Sequence, residues 1–435
     1  MSGIASIALW LPYRGVERAS VAALHGGRGA QGNRPVAGAD EDGLTLAWDA
    51  ATRLNHDLDI PLAVSLEDVT VSVRAQSVIG RAMGRHVIEL GQGPRAGWDL
   101  LASDQVAILD VAWGVVSWAR SDEPVATWHA DAGAAIAWRE DAPLQLVGNW
   151  QNEGPLPVWR NGAGGCQLDW SAPDQAALFS ACDEAFSVLN IRPERDRIAV
   201  SCPLPGVWKQ VQRRGWAHVV GSDFGQIGYA RGADPAFTLA RAMEGMQPGD
   251  RVALVVPGAG ATVLLFELAD TGQPVQILMP RWQAARAIPP GRWAAFRRRD
   301  GHIQSGVEMS SSLGWREASW QLERMGFRCA ACGELSWPAQ QNCIVCGQRE
   351  GRREPVAATG TVFTGTIDHL HPSLDPPTSM IVADLDGGGR AYLQGTDDLA
   401  HDCPIGTPVE MALRRYHDGE SGQTPHYFWK LRRRA

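Results

Sequence analysis

Lysine is almost missing from this sequence: it occurs at Lys209 and Lys430, and arginine supplies the rest of the 40 basic residues. The acidic residues number 48 and leave a formal net charge of -8, which argues against a nucleic-acid-binding surface. Arginine in place of lysine reads as codon bias rather than as a set of phosphate grips. The runs Arg297-Arg298-Arg299 and Arg432-Arg433-Arg434 read as solvated surface. Long hydrophobic runs are lacking too. No window approaches the roughly 18 uninterrupted apolar residues of a membrane span. The apolar start, 1–12, has no basic segment ahead of it and breaks at Pro12 and Arg14, so no export signal is expected. Finally, no cysteine precedes Cys166, which removes thiol chemistry, disulfides and thiolate metal sites from everything before it.

The cysteine that is present is concentrated. Four of the eight cysteines form two Cys-x-x-Cys pairs, Cys329/Cys332 and Cys343/Cys346, each followed by glycine, Gly333 and Gly347. Two thiolates on each of two short turns give the four-sulfur set that tetrahedral Zn(II) takes, against the alternative of two disulfides or a redox pair. A glycine just past each second cysteine suits a knuckle that needs left-handed backbone there. With all four positions thiolate, no open site is left for water, so the expected Zn(II) is structural. Such thiolates fit a reducing, cytoplasmic location. The remaining cysteines read as core or loop residues: Cys166 beside Gly164-Gly165, Cys182 on a helix face with Ala185 and Phe186, Cys202 at a strand end, and Cys403 before Pro404. His369 and His371 sit in a Pro-rich loop and are expected on the surface, because the cysteine set is already complete.

At 435 residues the chain exceeds one ordinary core, and two or three domains are expected. Before the cysteine pairs, apolar strands alternate with helical periodicities. Strands are expected at 4–10, 62–66, 86–90, 105–109, 134–138, 197–201, 251–257 and 262–268. Helices are expected from Asp40-Glu41-Asp42 onward and at 77–83, 98–101, 173–189, 204–214, 235–246 and 315–325, and a mobile loop at 26–32. The acidic opening suits a helix N-terminus. Such alternation implies a mixed sheet with helices on its faces. After the pairs the texture turns to short strands at 360–367, 380–385, 390–394, 408–414 and 427–431, with a glycine turn at Gly387-Gly388-Gly389. Five such strands make a small closed barrel. The eighteen tryptophans have no evident account at this level.

Two resemblances follow from particular stretches. Residues 4–12 and Asp40-Glu41-Asp42-Gly43-Leu44-Thr45, with Phe224-Gly225-Gln226-Ile227-Gly228-Tyr229, Leu239 to Ala242, Gly249-Asp250-Arg251-Val252 and Pro257-Gly258-Ala259-Gly260, resemble hydroxymethylglutaryl-CoA synthases, which are thiolase-like condensing enzymes. That likeness covers roughly residues 1–270. Residues 315–435, on the cysteine pairs and Gly360-Thr361-Val362-Phe363-Thr364-Gly365-Thr366, are similar to the zinc-ribbon and OB-fold proteins that accompany thiolases. The implied fold is an α/β thiolase-like layered domain at 1–275, a connector with a helix at 276–325, a rubredoxin-like zinc ribbon at 326–350, and a five-stranded OB-fold β-barrel at 355–435.

The resemblance implies three catalytic positions. Condensing enzymes of this kind acylate a cysteine at a strand-to-helix turn, where the helix N-terminus stabilises thiolate. Here that turn is 91–98, and Pro94 falls at the nucleophile's place. A histidine in a His-x-Pro segment is replaced by Cys202 in Ser201-Cys202-Pro203, and the general acid/base glutamate is matched by Glu67. With no thiol to acylate, the resemblance implies a catalytically degenerate subunit. Its thiolase-like domain would pair with itself or with a thiolase or other condensing enzyme, and its barrel would stand near a CoA thioester. The alternatives are an active acyltransferase with Glu67 as base or a relocated cysteine, and an OB-fold nucleic-acid binder, which the negative charge disfavours.

Overall fold

The computed structural model describes residues 2–24, 32–54, 62–66, 75–90, 95–101, 110–115, 130–153, 159–160, 166–167, 172–202, 205–222, 226–258, 260–279, 286–297, 311–371, 373, 375–417 and 426–434. The chain forms two compact units. One comprises Met1–Ala37, Asp42–Val71 and His86–Arg297; the other comprises Gly38–Glu41, Ser72–Arg85 and Arg298–Ala435. Among the described residues no helix is long and apolar enough to cross a membrane.

The first unit is built around one large sheet. β1 (Ser2–Trp10) leads into a side ribbon of β2 (Arg14–Glu17) and β3 (Asn33–Val36) around α1 (Arg18–Leu24), then α2 (Gly43–Ala51) and β4 (Leu62–Leu66). After α3 (Arg81–Met83), the chain gives β5 (Val87–Glu89), α4 (Ala96–Leu101), β6 (Asp110–Val115) and β7 (Ala132–Glu140). A second series follows: β8 (Leu144–Glu153), the short ribbon β9 (Trp159–Arg160) and β10 (Cys166–Gln167), α5 (Ala172–Val188) and β11 (Arg197–Val200). It continues with α6 (Pro205–Arg214), β12 (His218–Gly221), α7 (Asp234–Ala242), β13 (Arg251–Gly258) and β14 (Gly260–Leu268). β15 (Gln276–Leu278), β16 (Arg286–Ala287) and α8 (Pro290–Arg297) close the unit.

The sheet order is β12-β11-β13-β14-β8-β1-β7-β6-β4-β5, with β15 beside β1. This order conceals a duplication. In the first series β5, β4 and β6 are parallel, and β7 and β1 follow antiparallel. In the second, β12, β11 and β13 are parallel, and β14 and β8 follow antiparallel. Each series therefore places its strands in the order third, second, fourth, fifth, first, and the two series meet where Gly3 pairs with Gln145. Parallel strands need crossovers and covered faces, which explains the near-continuous burial of β13. α4 and α7 occupy the same place in the two series and share one core. Trp98 of α4 packs with Phe237 and Leu239 of α7, Ile136 and Trp138 of β7 and Phe266 of β14, and its indole N–H donates to the Gly232 carbonyl at 3.0 Å. A second core lies under α5 and α6, around Phe179, Phe186, Ile198 and Val207.

The second unit contains α9 (Ser311–Gln321), a three-stranded ribbon of β17 (Met325–Cys329), β18 (Leu335–Ser336) and β19 (Gly351–Pro355), and a barrel. The barrel strands are β20 (Thr359–Asp368), β21 (Thr378–Leu385), β22 (Arg390–Gln394), β23 (Pro408–His417) and β24 (His426–Arg433), ordered β22-β21-β20-β23-β24. A parallel bridge between Gly395 and Leu431 closes it, giving the five-stranded OB-fold topology. Part of the tryptophan content is explained here. Trp320 of α9, Trp337, Tyr416, His426 and Phe428 form a chain of ring contacts 5.6–6.3 Å apart, and Trp337 Nε1 donates to the Trp320 carbonyl.

Several sequence expectations change. The helix expected at 315–325 ends at Gln321, because Arg324 takes φ 56° and Met325 already begins a strand. Asp40 and Glu41 do not form the first turn of α2. Asp42 caps it instead, accepting from the Thr45 amide at 3.1 Å while Thr45 Oγ1 accepts from the Asp42 amide at 2.9 Å. The helix expected at 77–83 begins as a π-turn, Gln76–Gly80. The strand expected at 105–109, and the loop at 26–31, lie outside the described residues.

Candidate functional site

The cysteine site consists of two knuckles with one hydrogen-bond pattern. In the first, the Gly333 amide donates to the Cys329 carbonyl and the Cys329 amide to the Glu334 carbonyl. In the second, the Gly347 amide donates to the Cys343 carbonyl and the Cys343 amide to the Gln348 carbonyl. Gly333 and Gly347 take φ of 76° and 74°, backbone that a side chain would strain. The four Sγ atoms lie within 4.8 Å of one another, with Cys329–Cys346 at 3.6 Å and Cys332–Cys343 at 3.5 Å. Zn–S bonds of about 2.3 Å in a tetrahedron put sulfurs about 3.8 Å apart, whereas a disulfide needs about 2.05 Å. The cluster is that of a zinc ribbon, and it can hold one metal ion with no position left open.

The electrostatics of the four sulfurs favour a cation. Amide N–H groups of Cys346 and Val345 aimed at Cys343 hold its thiol down at about 7. Although the Glu334 amide favours thiolate at Cys332, hydrogen bonds with Cys343 and Cys346 push that thiol up to about 12. Without a cation, neighbouring sulfurs share protons, since like charges this close do not all ionise. A divalent ion removes that conflict. Arg328 ties the ribbon to the barrel, with Nε donating to Glu354 at 2.5 Å, Nη1 to the Gly333 carbonyl and Nη2 to the Gly387 carbonyl, both at 2.9 Å. Among the described residues this is the cluster with metal-ligand chemistry; His371 instead meets Gln394 at 3.1 Å.

Along the chain, two of the three positions named from sequence come just after the second strand of a series. Glu67 directly follows β4, the second strand of its series, and Cys202 follows β11, the second strand of the other. Glu67 and Pro94 lie outside the described residues. Cys202 is fully buried in the core that holds Cys182, Ile198 and Val207, and its carbonyl accepts from Trp208 Nε1 at 3.1 Å. Cys182 is equally buried, and burial pushes its thiol up to about 12. Cys166 opens β10.

Two side chains that the sequence did not single out lie at the starts of α4 and α7. Arg95, immediately before α4, donates from Nε to Thr262 Oγ1 at 2.9 Å and to Asp99 at 3.1 Å, and from Nη1 to the Asn152 carbonyl at 3.0 Å. Its stem lies on Gly258, where an added Cβ would meet Arg95 Cδ at 2.2 Å. The space between the start of α4 and the β13–β14 turn is therefore occupied by an arginine side chain, 12% exposed. At the matching start of α7, the buried Asp234 accepts from Ser201 at 2.7 Å, from Thr238 at 3.2 Å and from Ser222. Burial raises its carboxyl above the ordinary range, and the serine, threonine and Ala230 amide donors oppose this. Asp234 thus clamps the ends of β11 and β12, next to Cys202.

With this geometry in hand, the class of fold is clear: the layered duplication is the thiolase-like fold of condensing enzymes, followed by a zinc ribbon and an OB-fold barrel. PksG, an HMG-CoA synthase from Bacillus subtilis, superposes with a TM-score of 0.54 at 13% identity, over 72% of this chain and 93% of PksG. An HMG-CoA synthase solved with CoA gives 0.55 at 13% identity, over 67% and 89%. FabH, the 3-oxoacyl-(acyl carrier protein) synthase III of Pseudomonas aeruginosa, gives 0.52 at 13%, over 62% and 98%. At such identity the likeness establishes the fold. In sequence, the chain is similar to a DUF35 domain-containing scaffold protein of Methanocaldococcus jannaschii, 28% identical over 113 residues, which is 25% of this chain and 80% of that protein. A scaffold protein of the same description from Pyrococcus furiosus is 27% identical over 130 residues, 29% of this chain and 95% of that protein. No protein-family model matches the chain.

Proposed function

We propose that this protein is a thiolase-like subunit without a covalent nucleophile, which scaffolds an acyl-CoA condensing complex with a Cys-bearing thiolase or other condensing enzyme. One observation carries the reading: no cysteine precedes Cys166, so the first series of the duplication has no thiol to carry an acyl group. Two features support it. Arg95 fills the space at the start of α4, and Cys202 is sealed in the core. The names of the scaffold relatives and the fused ribbon and barrel favour a companion role, with the barrel near the partner's acyl-CoA channel. The four cysteines would hold Zn(II), which fixes the ribbon and leaves no site for substrate. The test is affinity purification of the tagged full chain from its native host. Co-purification of a cysteine-bearing condensing enzyme in a fixed ratio is expected, and recovery of the chain alone would refute the proposal.

A second reading, acyl transfer without a covalent intermediate, rests on the carboxylate of Glu67 after β4. It requires turnover by the purified chain alone, lost in Glu67→Gln.

A further inference from the structure

The acidic stretch Asp40-Glu41 is set apart from α2 and belongs to the unit that carries the barrel. Asp40 Oδ2 accepts from Lys430 Nζ and from Thr396 Oγ1, both at 2.9 Å, and the Asp40 carbonyl accepts from the Arg415 amide at 2.9 Å. Glu41 lies 3.6 Å from Arg414 Nη2, which also donates to Asp397 at 2.9 Å. Glu41, Arg414 and Asp397 have side chains 0%, 0% and 7% exposed. The segment is itself folded to fit, since Glu41 Oε2 accepts from the Gly38 amide at 2.7 Å. On the barrel side, Arg414 is held by Asp397 at 2.9 Å. Asp397 takes φ 53°, a left-handed backbone that aspartate adopts more readily than most residues, and Lys430 is one of two lysines in the chain.

We infer that Arg414, Lys430 and Thr396 form a receptor on the barrel for an acidic dipeptide, and that Asp40-Glu41 of the same chain is its resident ligand. The chemistry is specific. One carboxylate meets an ammonium and a hydroxyl, the other meets a buried guanidinium, and a strand amide reads the peptide carbonyl between them. Truncating either partner of such a buried pair strands the other charge, so the receptor selects for two adjacent carboxylates. A tethered segment acts at an effective concentration on the order of millimolar. An acidic segment of another protein therefore reaches this face only after Gly38–Glu41 leaves it. The inference concerns the barrel's own ligand and stands whether or not the chain is catalytically silent.

The test uses the full chain and a labelled peptide of residues 36–45. Wild-type protein is expected to bind it at least about tenfold more weakly than Asp40→Ala/Glu41→Ala, whose receptor is vacated. The same peptide with Asn and Gln at the two acidic positions should bind neither. Equal binding to both proteins, no binding to the double variant, or equal binding of the amide peptide would overturn the inference. Should the double variant not fold, hydrogen exchange in the full chain decides the matter. The Gly38 and Arg415 amides are expected to lose protection together in Lys430→Gln, and unchanged protection of both would overturn the inference.

Discussion

Removing the metal should unfold the ribbon while the first unit stays folded. The buried side chains that belong to the ribbon's own apolar cluster are Phe327, Cys329 and Cys343, with Ala339 packed against them. Burial on that scale contributes at most about 5 kcal/mol. Structural Zn(II) contributes on the order of 10 kcal/mol in comparable peptides at neutral pH, so the ion is the larger contribution by about a factor of two. Cys343→Ser removes one of four ligands, and one from inside the cluster, since Cys343 is 5% exposed. The perturbation should reach the barrel as well, because Arg328 joins the Gly333 carbonyl to the Gly387 carbonyl. The assay is hydrogen exchange with mass analysis of the full chain, with and without a zinc chelator. Peptides covering 325–355 should lose protection, those covering β20 and β21 should lose some, and those covering β1, β13 and β14 should be unchanged. A ribbon whose protection survives both chelation and Cys343→Ser would refute the reasoning.

Two further outcomes are expected. Asp234 has a raised folded-state carboxyl value, so its contribution is fully present below the unfolded value of about 3.9 and is lost as pH rises through the folded value. Asp234→Asn, uncharged at every pH, should therefore gain in melting temperature relative to wild type as pH rises above the unfolded carboxyl value of about 3.9; parallel curves in thermal scans from about pH 4 upward would contradict the assignment. Arg95→Ala should destabilise the first unit by about 2 kcal/mol, because it leaves Thr262 and the Asn152 carbonyl without their charged donor. Chemical denaturation measures this, and a loss below about 0.5 kcal/mol, the scale of an ordinary surface substitution, would argue against an ordered arginine.

Local patterns were legible in the sequence and long-range ones were not. β4 appears at 62–66, where a short and mainly apolar run is expected, and α5 spans Ala172–Val188, close to the stretch read from its periodicity. The cysteine spacing and the following glycines likewise carry the two knuckles, down to the positive φ angles, but not the strands β17, β18 and β19. β8 (Leu144–Glu153) was invisible because Gln145, Asn149 and Gln151 interrupt its apolar content; its partner β14, 109 residues away at Asn152–Ala261, supplies its order. β6 (Asp110–Val115), six residues with a glycine, gives no periodicity to read. Asp40 and Glu41 depart from their local pattern for the same reason: acidic residues ahead of a helix suit its N-terminus locally, whereas their partners Lys430 and Arg414 lie at the other end of the chain. Arg95 carries no signal in a single sequence, since its partners Thr262 and Asn152 come from the second series. Asp234 carries none because Ser201 and Ser222 reach it only once β11 and β12 are side by side.

The proposed scaffold role requires that the chain itself takes up no acyl group. Purified full-length protein, loaded with Zn(II) and incubated with acetyl-CoA labelled in the acetyl carbon, should retain no acid-stable protein-bound label above that of heat-denatured chain. Stoichiometric labelling that disappears in Cys202→Ala or Cys166→Ala would contradict the account.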